Sequence, residues 1–173
     1  AEFVRCVIGG NSASSGGGIY AEQGKIICRD CVFSHNTASY GASIASGADT
    51  TLINCRFTDN AIASTGGTFD LWVGGDSVLT NCTLANMTGT TEVASIGGTI
   101  RNCIFRGPGI DLWASDISYS NISGYGSSGV GNIDVQPMFV NPDEEDYRLL
   151  PGSPCIDRGT GETAPDHDLD GVA

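Results

Sequence analysis

The 173-residue sequence predicts an all-β fold, a right-handed parallel β-helix of about five to six coils, each of three short strands, with a C-terminal cap. Three observations carry this. Five cysteines recur at Cys6, Cys31, Cys55, Cys82 and Cys103, at gaps of 25, 24, 27 and 21 residues, and each opens a Cys-x-Ile, Cys-x-Phe or Cys-x-Leu run. Self-similarity at that period marks a solenoid. Asn or Asp immediately precedes four of the five (Asp30, Asn54, Asn81 and Asn102), where a tight corner needs positive φ. Twenty-five glycines and few charges suit close-packed strands better than amphipathic helices.

The elements follow in chain order. The sequence enters in mid-coil at "FVRC", which predicts an uncapped solenoid edge, open to self-association or to cover by a further segment. Each period then holds a small-residue segment ("SGGGIYA", "YGASIAS", "TGGTFDLW"), a β-rich run ("TTLI", "SVLT", "GGTI") and the cysteine strand. Equivalent residues stack one coil apart, at about 4.8 Å. Asn at a repeated corner can hydrogen-bond to its neighbours as a ladder, and Asn11, Asn36 and Asn60 close three of the cysteine runs. Residues 1–130 are assigned to the coils, and 131–173 to the last coil and a capping segment with an acidic tail. The Leu-x-x-Leu-x-Leu spacing of a leucine-rich solenoid is absent.

Seven cysteines leave at least one unpaired. The five periodic ones read as an inward stack of small apolar side chains, because in-register neighbours on parallel strands rarely meet disulfide geometry. The close pair Cys28 and Cys31 has no second pair with which to hold a metal.

"GGGIY" followed by "CVFSHN" resembles the repeats of polymorphic outer-membrane protein passengers and of the wider parallel β-helix superfamily, which also holds pectate lyases and polygalacturonases. The tail "GNIDVQPMFVNPDEEDYRLLPGSPCIDRG" is similar to the closing segment of bacterial secreted β-helix proteins. The resemblance implies the fold and a secreted or cell-surface location, and says little about activity.

The functional expectation rests on "GTFDLWVGGD" and its echo "GIDLWASD". Strand alternation, counted back from Asn81, Asn102 and Asn121, places Asp70, Glu92 and Asp111 in one outward column, with Trp72 and Trp113 flanking Ala94 and Tyr20 on the same face. Aromatic platforms beside carboxylates suit a sugar ring, whose apolar face stacks on indole. The expected function is therefore a structural or binding module for polysaccharide through Trp72, Trp113 and Tyr20. The alternative is an inverting glycoside hydrolase in which Asp70 and Asp111, with Glu92 between them, act across the spacing that mechanism needs. A lyase is the weaker alternative, since its Lys or Arg base beside bound Ca²⁺ has no counterpart next to these acids.

Two smaller patterns stand apart. His35 and Asp59 occupy equivalent places in "FSHN" and "FTDN" and should be stacked neighbours. "DHDLDG" opens like a calcium loop, which makes Asp166, Asp168 and Asp170 candidate Ca²⁺ ligands, although the later Glu of such a loop is missing. The net charge of −12, with Lys25 as the single lysine, excludes nucleic acid as a partner. No apolar run is long enough to span a membrane, and no signal peptide is legible at the N-terminus.

Overall fold

The computed structural model describes residues 1–63, 69–86, 94–107, 110–112, 116–162 and 164–169, with the backbone alone at Ala94, Ser95 and Asp111. The chain winds through three parallel faces. The first stacks Glu2–Val4, Lys25–Arg29, Asp49–Ile53, Val78–Thr80, Thr99–Arg101 and Asp116–Ser118. The second stacks Val7–Gly9, Val32–Ser34, Arg56–Thr58, Thr83–Ala85, Ile104–Phe105 and Asn121–Ile122. The third stacks Ile19–Ala21, Ile44–Ser46, Leu71–Val73, Ala94–Ile96 and Ile110–Leu112. Six, six and five strands give a third face with four coil-to-coil steps, so the part wound on all three faces is slightly shorter than the five to six coils expected.

The corners explain why so short a strand ends where it does. Arg5, Asp30, Asn54, Asn81, Asn102 and Tyr119 all carry positive φ between the first and second faces. Asn and Asp tolerate this region because their short polar side chains bond locally, and Asn54 donates to the Asp30 carboxylate one coil away at 2.8 Å. At the next corner the Asn11 amide donates to the Asn36 side-chain oxygen at 3.0 Å, and the Asn36 amide to that of Asn60 at 3.1 Å. Entry to the third face turns at Gly16 and Gly41, and then at Phe69. Gly18 is required for a second reason, since a Cβ there would come within 2.5 Å of the Ser43 carbonyl one coil on.

Alternation fills the interior with Phe33, Phe57 and Phe105 from the second face, Leu52, Leu79 and Ile100 from the first, and Ile44, Leu71 and Ile96 from the third. Phe33 and Phe57 stack with ring centroids 4.8 Å apart, the coil spacing itself. Cys31, Cys55, Cys82 and Cys103 lie buried beside this core as free thiols. Burial pushes the Cys82 thiol well above its ordinary value, and burial followed by the neighbouring Cys31 and Cys6 pushes Cys28 up to about 12. These thiols are inert packing.

Past the last strand, Val130 and Asn132 bond to Tyr119 and Ser120 and cover the C-terminal end. From Val135 the chain leaves that end and runs back along the second face. A hairpin of Phe139–Asn141 and Asp146–Leu149, joined through a 3-10 turn over Pro142–Glu144, reaches Asp59 through Tyr147. The last stretch lies on the opposite corner, where Thr160 and the Asn102 side chain exchange two hydrogen bonds at 2.8 and 2.9 Å and His167 meets Asp30 at 3.2 Å. The expected capping segment is thus both a cap and a long strap. No helix among the described residues is long and apolar enough to cross a membrane.

Candidate functional site

The outer surface of the third face carries the aromatic residues. Backbone register aligns Tyr20, Ala45, Trp72, Ser95 and Asp111 in one column. Leu71 and Val73 point inward on either side of Trp72, so the indole faces out and is 40% exposed. Tyr20, 55% exposed, stands two strands away, at about 9.6 Å by strand spacing. Its hydroxyl donates to Glu22 at 2.8 Å, which fixes the tip of the ring and raises the phenol's pKa. Ala45 lies between the two aromatic residues and is only 1% exposed, so the face is a shelf without a slot.

The carboxylate column expected beside these rings does not form. Asp70 is completely buried. Phe69 sits at φ 58, in the corner position that Gly16 and Gly41 hold in the preceding coils, so the strand begins only at Leu71 and Asp70 is turned into the wall. There it accepts hydrogen bonds from the Ser43 amide at 3.0 Å and the Ser43 hydroxyl at 2.6 Å. Burial pushes its pKa up to about 7 against the opposing pull of Ser43. A carboxyl sealed in this way cannot reach a substrate. Asp111 shares the register of Trp72 and not of Asp70, and Ala94 pairs with Leu71 where Ala94 was expected to lie between the indoles. Glu92 and Trp113 lie outside the described residues.

Two features of the chain shift the register from the expected one. Asn121 pairs with Ile104 on the second face, and it is Tyr119, at φ 52, that takes the corner held by Asn102 one coil earlier. The turn leaving the third face also changes length: Val73 and Ile96 are partners, as are Val78 and Thr99, so four residues in one coil match two in the next.

A second feature had no sequence signal. The strap roofs a groove of about 520 Å³ above the second face, with Arg56, Thr83, Ile104, Tyr147, Arg158 and Thr160 in its lining. Arg56 lies 5.6 Å from the centroid of the Tyr147 ring, and burial followed by Asp59 pushes the Tyr147 phenol up to about 12. Asp166 pairs with its neighbour His167 at 2.6 Å, and Asp168 also lines the groove, while Asp170 lies outside the described residues. His35 and Asp59 stand one coil apart as expected, and the hairpin brings Glu145 to them, with His35 and Glu145 3.8 Å apart.

Three stacked parallel faces with an outward aromatic shelf define a parallel β-helix module. The chain belongs to the right-handed β-helix family, whose model, described as a right handed beta helix region, matches residues 1–132. Comparison with curated proteins and with solved structures found no match.

Proposed function

We propose that this β-helix is a secreted or cell-surface binding module whose third face holds a neutral polysaccharide against Tyr20 and Trp72. The observation that carries the reading is the register itself, which puts both exposed rings in one column on either side of a closed Ala45. Aromatic side chains on a flat face offer apolar contact to sugar rings while the neighbouring polar groups meet hydroxyls. The charge of −12 disfavours a polyanionic ligand. The burial of Asp70 weighs against the hydrolase alternative, because it removes one of the two acids on which that mechanism depended.

Affinity electrophoresis through gels cast with neutral polysaccharides tests the proposal. Retardation of the wild-type chain is expected, with Tyr20→Ala and Trp72→Ala each weakening apparent affinity by about two- to tenfold. Retardation by a polysaccharide that both variants retain unchanged would place the ligand elsewhere.

A further inference from the structure

Three ligand-bearing side chains converge at the corner between the second and third faces. His35 and Asp59 come from consecutive coils, and Glu145 comes from the hairpin of the strap. One ligand atom from each lies within 4.8 Å of the other two. All three backbones have positive φ, at 57, 56 and 60. For His35 and Asp59 that is the ordinary demand of a corner. Glu145 ends a 3-10 turn, at a left-handed position that favours glycine, so its side chain is kept where none is needed for the turn.

Around this trio the surroundings resemble an outer shell. The Asn86 side-chain amide donates to Asp59, and the Tyr147 hydroxyl reaches the other Asp59 oxygen at 3.4 Å. Partners of this kind orient a ligating carboxylate. His35 and Glu145 are exposed, while Asp59 is half-buried and held by Asn86 and Tyr147. Metal bonds of about 2.0–2.2 Å put ligand atoms roughly 3.5 Å apart around a tetrahedral ion, so closure asks for about 1 Å of movement from the two exposed side chains.

The geometry points to a single divalent-cation site of the zinc class, formed by His35, Asp59 and Glu145, that clasps the C-terminal hairpin to the solenoid. Two carboxylates and an imidazole make a nitrogen-and-oxygen set that suits Zn²⁺, and the imidazole disfavours Ca²⁺ and Mg²⁺, which take oxygen ligands. Three protein ligands leave a fourth position for water. Because two ligands belong to the solenoid and one to the strap, the cation binds the docked hairpin and not the released one. Occupancy therefore holds the strap closed by mass action.

The test is calorimetric titration of the full chain with Zn²⁺, alongside Co²⁺ absorption and hydrogen exchange of residues 139–149. Expected are one Zn²⁺ per chain, a Co²⁺ spectrum without thiolate charge transfer, and slower exchange in the hairpin when Zn²⁺ is present. His35→Ala and Glu145→Gln, both at exposed positions, should each weaken Zn²⁺ by about tenfold or more and abolish the added protection. Binding that survives both substitutions would overturn the assignment. So would a thiolate signature, an equal response to Ca²⁺, or the absence of binding to the wild-type chain.

Discussion

At the residue scale, Asp70 shows how one corner redirects a side chain. Strand alternation alone sends it outward beside Trp72, yet the left-handed backbone at Phe69 makes that residue a corner, so the strand begins only at Leu71 and the carboxyl is closed into the wall against Ser43. Its folded-state pKa of about 7 lies above the ordinary 3.8, so between those values the folded chain holds a proton that the unfolded chain has released. The contribution of this group to stability is then complete below 3.8, declines as pH rises towards about 7, and stays flat beyond. Asp70→Asn keeps an oxygen for the Ser43 amide and supplies a donor for its hydroxyl. Thermal melts of this variant should lose that decline, with the largest gain in Tm over wild type above pH 7; a parallel pH profile in both proteins would contradict the account.

At the scale of the element, the corner asparagines and the strap make separable contributions. The Asn36 side chain accepts from Asn11 and donates to the Ile8 carbonyl and to Asn60, so three coils meet in one buried amide. Asn36→Ala should cost about 1–3 kcal/mol in denaturant unfolding, the range for stranding buried hydrogen-bond partners. A loss near zero would mean that water replaces them. The strap's far end is held by His167, whose pKa is raised first by its bond to Asp166 and then by that to Asp30. A raised histidine pKa gives stability that is full below 6.5 and is lost as pH rises through the folded value. Limited proteolysis should accordingly nick residues 158–169 faster on the alkaline side of 6.5, with the solenoid intact. Equal cleavage on both sides would show that the charge on His167 does not hold this segment, which the Asn102 and Thr160 pair also anchors.

For the whole molecule, the chain's own period reveals the winding, and distance in sequence hides the rest. The cysteine runs set the second face correctly because each Cys is followed at once by its strand, and the inward Ile, Phe or Leu two residues on confirms the parity. The third face was less legible. The turn that leaves it varies between coils, and the last coil substitutes Tyr119 for the expected Asn, so counting from the far side of that turn sets Asp111 level with Asp70, where the structure sets it level with Trp72. Trp72 and Tyr20 escaped this because alternation within one strand suffices to turn them outward. The groove under the strap was invisible for a different reason. Tyr147 meets Asp59 across 88 residues, and Glu145 meets His35 across a longer stretch still, with no repeat to announce either contact.

The aromatic shelf is the centre of the functional account, and the chain's two tryptophans allow it to be read directly. In a Trp113→Phe background Trp72 becomes the single indole, and its emission can be titrated with neutral polysaccharides. A saturable blue shift, weakened by Tyr20→Ala, is the predicted result, because a sugar ring stacked on Trp72 displaces water from an indole that is 40% exposed. Emission that stays unchanged while the same polysaccharide binds the protein by calorimetry would contradict the account and move the binding site off the third face.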